Sequence, residues 1–275
     1  VEVASVWRLP RFGGKLFRPN TRASVRLTDL NRSELDVDSY LFFETSVSAG
    51  LAFIIAKSAT FSAGVGVRVD DVLALETGPE TPAAVTAGER LLTTGRLALD
   101  FKFDSSSERT DQTHYLRIGA VTYYITDIAK LVKLSMNYQK VWNFGFNDLY
   151  LRSSGFHLAG DAVTWKDEAT IGSVIMKVIP GNQAFSPRQF QLGGEAKIAI
   201  YRETLKANLF AGCAIYATSV EAIMDADEYR FATAFGPGVS VMLLDIFELD
   251  IYYAMGISSL GDTQGNVVFS LDKVF

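Results

Sequence analysis

The stretch 247-FELDIYYAMGI-257 sets Phe247, Leu249, Ile251, Tyr253, Met255 and Ile257 on one side of an extended chain, with Glu248, Asp250, Tyr252, Ala254 and Gly256 on the other. The same alternation fills 96-RLALDFKFD-104, where Leu97, Leu99, Phe101 and Phe103 oppose Ala98, Asp100, Lys102 and Asp104. In 61-FSAGVGVRVD-70, Phe61, Ala63, Val65, Val67 and Val69 oppose Ser62, Gly64, Gly66, Arg68 and Asp70. In 132-VKLSMNYQ-139, Val132, Leu134, Met136 and Tyr138 oppose Lys133, Ser135, Asn137 and Gln139. Alternating runs of about nine to twelve residues exceed the strands of soluble domains, which average about five or six. Their second face is polar, charged or glycine, which suits neither a strand buried on both faces nor the shorter strands of a soluble sandwich. A tilted strand crossing a bilayer needs about nine to eleven residues, apolar towards lipid and polar towards the lumen. The pattern predicts an all-β fold, a transmembrane antiparallel up-and-down β-barrel.

Extended along the chain, the periodicity predicts strands near 1–9, 21–31, 38–56, 59–73, 90–104, 111–125, 127–142, 146–158, 161–178, 190–203, 206–218, 228–243, 246–259 and 264–275. That is about fourteen, with twelve to sixteen inside boundary error, in a single barrel domain over 1–275. Six of the seven prolines fall between these strands, and Pro237 lies early in one. Short connections at Thr204–Lys206 and around Asp245 alternate with longer ones at 179-IPGNQAFSPRQ-189 and 219-SVEAIMDADE-228, as in outer-membrane barrels. Counting back breaks this parity, because 74-ALETGPETPAAVTAGER-90 lands on the short-turn side. Either a strand is miscounted or that side carries an insertion. Aromatic groups at Tyr40/Phe42/Phe43, Tyr123/Tyr124, Trp142/Phe144/Phe146 and Tyr252/Tyr253 are expected to form girdles at the membrane–water boundary.

Composition narrows the classes further. The chain has 275 residues, 48% of them hydrophobic and 21% charged, with a net charge of −5. Its longest apolar run, 49-AGLAFIIA-56, falls well short of the roughly 20 residues of a spanning helix, so the apolar excess belongs to strands. Acids and bases are interspersed, and no basic stripe points to a nucleic-acid partner. Cys213 stands alone in 209-LFAGCAIYA-217, so no internal disulfide or cysteine zinc site is expected, only a packed thiol. No signal segment opens the chain; beginning at Val1, it fits a mature form with its signal removed or a fragment of a longer protein.

Little in the sequence suggests covalent chemistry. His114 lies near Asp111 and Ser105–Ser107, but 104-DSSSERTDQT-113 reads as a solvated hairpin loop, and neither His114 nor His157 stands in a spacing resembling the membrane-embedded phospholipases, proteases or lipid A deacylases. The acidic 225-DADE-228 lacks the ligand spacing of a calcium loop. We expect no enzyme, cofactor or metal. Glycines in 64-GVG-66 and 236-GPG-238 are ascribed to barrel curvature. The lumen-facing candidates are Glu44, Arg68, Asp100, Lys102, Arg117, Lys133, Glu195, Lys197, Glu248 and Asp250. Mixed charges on one face line a water-filled pore or pair across strands and close it.

General features resemble bacterial outer-membrane β-barrel proteins over most of the chain. A more particular likeness covers about the last 85 residues: Gly193–Gly194 with 195-EAKIAIYRE-203, then 207-ANLFAGCAIY-216, 236-GPGVSVML-243 and 248-ELDIYYA-254. These resemble the closing strands of the outer-membrane insertase and two-partner-secretion superfamily, which assembles or translocates other proteins. That family's inward loop carries an Arg-Gly-aromatic motif, for which the sequence offers only 152-RSSGF-156 and 188-RQF-190. Val267, Phe269, Leu271 and Phe275 share one face of 267-VVFSLDKVF-275 and resemble the signal by which the bacterial assembly machinery recognises an unfolded barrel. The resemblance implies a Gram-negative outer membrane, with its lipid and that machinery as partners, and other envelope proteins or a second copy as further ones. The expected function is a porin-like channel or a structural anchor in an envelope complex, with an insertase or translocator as the alternative.

Overall fold

The computed structural model describes residues 2–10, 16–32, 35–56, 58–104, 114–125, 129–160, 164–172, 175–177, 185–218, 229–243, 247–258 and 263–273. Eight strands come first: β1 Glu2–Arg8, β2 Phe17–Arg32, β3 Val37–Ala56, β4 Ala59–Thr77, β5 Arg90–Asp104, β6 His114–Ile125, β7 Ala129–Phe144 and β8 Asn147–Gly160. A short hairpin, β9 Ala169–Thr170 with β10 Phe185–Ser186, precedes β11 Arg188–Tyr201, β12 Leu205–Ala217, β13 Tyr229–Leu243, β14 Phe247–Ser258 and β15 Thr263–Lys273. Among the described residues, thirteen of these form one antiparallel sheet in sequence order, with β8 paired directly to β11 across the hairpin. No pairing joins β1 to β15 among the described residues.

The sheet is inside-out relative to a soluble fold. On β11–β15 the large apolar side chains face outward: Ile198 is 57% exposed, Leu209 63%, Phe231 46% and Phe269 66%. The charged ones face inward: Glu195 is 4% exposed, Lys197 5%, Lys206 6% and Asp250 6%. Charged residues are almost never buried unless paired, and long apolar rows do not face water, so the outer surface is one that lipid covers. Except for β1, the sheet's strands run for 11 to 20 residues, long enough to span a bilayer at a tilt.

Two expectations need correction. The strand expected over 161–178 does not form. Its described part holds a single 3-10 turn at Trp165–Asp167 and the two-residue β9, and its apolar residues Trp165, Ile171, Ile175 and Met176 are buried in the lumen. Three consecutive charges, Lys166, Asp167 and Glu168, break the period of two, and Asp167 closes a capping box with Thr164 that bends the chain. Removing this strand moves the connection between β4 and β5, residues 78–89, to the same end as those between β8 and β11 and between β12 and β13, the long-loop end. The other end joins β3 to β4, β7 to β8, β11 to β12 and β13 to β14 by two or three residues each, and it also carries the longer connections 9–16 and 105–113. The expected girdle also divides. Tyr40, Phe42, Tyr123 and Tyr252 are buried inside the barrel, whereas Trp142, Phe144, Phe146 and Tyr253 are exposed outside. Strand propensity, not the membrane boundary, accounts for the inner group. Pro237 lies on the outer face of β13, and the β13–β14 pairing lapses at Gly236 and Pro237, where the ring leaves no N–H to donate.

Candidate functional site

The segment between β8 and β11 turns into the lumen and is fixed there at two levels. Near the long-loop end, Trp165 packs among Leu35, Val37, Tyr40, Phe42, Val72 and Val85, with its ring edge-on to Tyr40 at 4.9 Å between centroids. Arg32 of β2 reaches the same segment, donating to the Trp165 carbonyl at 2.7 Å, pairing with Glu168 and lying 4.1 Å above the Phe185 ring. Beside it, the Arg90 guanidinium is gripped by two carboxylates. Its Nε and Nη2 donate to Asp70 at 2.9 and 3.0 Å, and its Nη1 and Nη2 donate to Asp167 at 2.9 and 3.1 Å. Lys133 approaches Asp167 at 3.5 Å, and Thr164 Oγ1 donates to it at 2.9 Å. Burial disfavours the charged carboxyl, but the Arg90 hydrogen bonds, the Lys133 charge and the Thr164 cap outweigh it and hold Asp167 below the usual carboxylate range.

Deeper in the lumen the segment lies against β11–β14. Ile171, Ile175 and Met176 pack on Phe210, Ala214, Ala232, Ala234, Tyr252 and Ala254. Small residues on the wall make the room. Gly193 and Gly212 are direct partners across β11 and β12; a Cβ on Gly212 would sit 2.5 Å from the Ile175 carbonyl oxygen, and one on Gly193 would sit 2.9 Å from Ile175 Cγ2. Curvature is therefore not the main reason for glycine at these two positions. Next along the segment, Lys177 Nζ stands 3.6 Å from Glu195 Oε1 and 3.6 Å from the centroid of the Tyr252 ring, with Phe210 at 5.5 Å. Burial pushes the Lys177 ammonium below its usual range, against the pull of Glu195.

Glu195 is the hub of the wall. It accepts from Arg152 Nη1 of β8 at 2.7 Å and from the Tyr252 hydroxyl. Asn208 donates to Tyr252 at 3.2 Å and to Ser240 at 2.6 Å, and Ser240 in turn donates to Asp250. Lys197 closes the network on Asp250 at 2.9 Å and Glu248 at 2.9 Å, and Lys206 pairs with Asp148 at 2.5 Å. Buried charges persist only when paired and hydrogen-bonded, and here each one is.

Neither a protein-family model nor a curated protein sequence matches the chain. Solved structures do. BamA from Haemophilus ducreyi, in a form lacking POTRA domains 1–3, superposes with a TM-score of 0.74 at 11% identity, over 98% of this chain and 62% of that one. CdiB from Acinetobacter baumannii superposes with a TM-score of 0.64 at 10% identity, over 98% of this chain and 49% of that one. Both are bacterial outer-membrane barrels. The fold is that of a bacterial outer-membrane β-barrel. The chain spans about three fifths of the one neighbour and half of the other.

Within this barrel, the candidate residues expected to face the lumen fall into separate groups. Glu195, Lys197, Glu248 and Asp250 form one network on the wall, while Lys133 reaches the inward segment through Asp167. Arg68 pairs with Glu44 at 3.2 Å and with Asp70 at 3.1 Å, and Arg117 pairs with Asp100 at 3.3 Å. The Lys102 side chain, Phe275, Asp111, Ser105–Ser107 and 225-DADE-228 lie outside the described residues. Val267, Phe269 and Leu271 face outward on β15. His114 lies on the outer face, 3.2 Å from the Tyr138 hydroxyl and 3.4 Å from Lys140 Nζ. The alternation did not single out Asp167, Lys177, Arg90 or Arg152, and it set Tyr252 on the face of Glu248 and Asp250 while the girdle expectation placed it at the membrane boundary. The charge run 166-KDE-168 was the available signal, since three adjacent charges do not fit a strand with one face in lipid.

Proposed function

We propose that residues 1–275 form a single transmembrane barrel domain that handles polypeptides, in the manner of the insertase and two-partner-secretion barrels, and that it performs no covalent chemistry. The observation that carries this reading is the inward segment seated on the β11–β14 wall by Lys177, Glu195, Arg152 and Tyr252. A passive solute pore needs a water-filled channel, and here residues 164–172 and 175–177 occupy part of the lumen. The wall that holds the segment is also the stretch whose sequence resembles the insertase superfamily. The superposition on BamA and CdiB supports the same reading, and short turns at one end with longer loops at the other agree with turns facing the periplasm.

The test uses the protein reconstituted in liposomes, with a small unfolded outer-membrane barrel added and its folding followed by heat-modifiable gel mobility. We expect folding several-fold faster than in empty liposomes. Lys177→Glu, which sets a second carboxylate against Glu195, should abolish that gain while the variant itself still shows the mobility of a folded barrel. No acceleration, together with a steady ohmic conductance in planar bilayers, would overturn the reading in favour of a diffusion pore.

A further inference from the structure

On the lipid-facing side of β4–β8 lies an apolar groove of about 540 Å³. Leu97 of β5, Ile118 of β6, and Leu134 and Met136 of β7 wall it, and Ala120 and Gly155 form its floor. The fold does not require glycine at 155. A Cβ there would meet Phe190 Cδ2 at 3.7 Å and Met136 Cβ at 3.8 Å, both ordinary contacts, and its absence leaves the groove open. The outward-facing lining turns polar at one edge, where His157 of β8 stands directly opposite Arg188 of β11. Both side chains are exposed on the outer face, and Arg188 makes no ion pair among the described residues. Arg188, His157, Leu134, Ala120 and Leu97 form one row of direct strand partners. Arg188 opens β11 at the long-loop end; His157 lies a short way in from Gly160, Leu134 further in from Ala129, and Leu97 deeper still from Arg90. Because the strands of a barrel tilt, this row descends from the membrane boundary at Arg188 into the apolar layer at β5.

We propose that this groove binds a phosphorylated, multiply acylated lipid of the outer leaflet, with its phosphate on Arg188 beside His157 and its acyl chains along Leu134, Ile118 and Leu97. Lipid covers this face, so an acyl chain is what an apolar groove on it takes up. Arg188 selects the headgroup, because a guanidinium grips phosphate through two N–H donors at once and an arginine on a lipid-facing strand costs least beside the interface. The leaflet follows from the position of Arg188, since the longer loops of outer-membrane barrels face the cell exterior. Five strands about 4.8 Å apart span roughly 20 Å, wider than the two chains of a phospholipid cover.

The test is native mass spectrometry of the full chain, refolded in detergent without lipid, as lipid A is added. A saturable one-to-one complex is expected. Arg188→Gln should weaken it roughly tenfold through loss of the charged contact. Gly155→Leu, which fills the groove and leaves the charge in place, should weaken it roughly threefold. Lys140→Gln, beside His114 on the outer face near the short-turn end, should bind as the unaltered protein does. Heat-modifiable gel mobility shows which variants are folded, and either of the first two carries the test should the other fail to fold. Phosphatidylglycerol, which has the phosphate but only two chains, should bind several-fold more weakly. Absence of a saturable complex, a complex that neither variant weakens, or equal affinity for phosphatidylglycerol would overturn the proposal. Because the titration involves no assembly reaction, its failure is read separately from failure of the assembly role.

Discussion

The two parts of the lumen differ in how they handle charge. Around the inward segment, seven cations meet seven carboxylates in ion pairs of 2.5 to 3.6 Å. Between β1 and β6, six arginines share a cavity with two carboxylates. In the first region each charge is a fastening, and the segment's own Asp167, Glu168 and Lys177 complete the pairs. In the second, Arg8, Arg22 and Arg96 are exposed, and solvent screens their charges. A residue of the same type therefore has opposite meaning in the two places: Lys206 deleted from the fastened region leaves the buried Asp148 stranded, and Arg96 deleted from the arginine cavity relieves its repulsion with Arg117 and Arg22.

The largest effect separating the two regions is expected at Asp167. Asp167→Asn leaves Lys133 without its carboxylate and Arg90 with one of its two, and unpairing a buried charge costs about 3–5 kcal/mol. Guanidinium unfolding of the reconstituted barrel should show it as a lower midpoint. The same contact predicts an acid limit. Since the folded-state carboxyl titrates below its ordinary value of 3.8, its stabilisation is fully present above that value and is lost as pH falls through the folded-state value. The Asn variant should lack that part of the acid sensitivity. At the small end, Arg96→Gln should leave the unfolding midpoint unchanged or slightly raised, within about 0.5 kcal/mol, because the cation it removes faces Arg22 and Arg117. A loss comparable to that at Asp167 would mean that Arg96 is fastened after all, and the contrast between the regions would fail.

Much of the barrel was legible because a strand between lipid and a lumen carries a strict period of two, as Phe247–Ile257 and Val132–Gln139 show in sequence and in structure. What the period cannot convey is a segment that leaves the sheet. Trp165, Ile171 and Ile175 are apolar at even spacings, as in a strand, and although 166-KDE-168 argues against a strand, their place in the lumen shows only in their burial against Val72, Phe210 and Ala232. Mixed inward charge was equally legible, but its consequence was not. Glu195 and Lys197 read alike with Arg68 and Asp100 until the third dimension shows which partners stand opposite. Gly193 and Gly212 likewise fit a curved strand, and their closeness to Ile175 depends on a segment that is distant in sequence. Long-range approach is what a one-dimensional pattern leaves out.

The central claim, that the segment between β8 and β11 is seated inside the barrel on the β11–β12 wall, is tested most directly by cross-linking. In a Cys213→Ser background, Ile175→Cys and Gly193→Cys would stand side by side, since a Cβ at 193 meets the Ile175 side chain. Mild oxidation of the reconstituted protein should form an intramolecular disulfide quickly and nearly completely, with both thiols protected from a water-soluble maleimide beforehand. Two free thiols that react with maleimide and do not join would contradict the account.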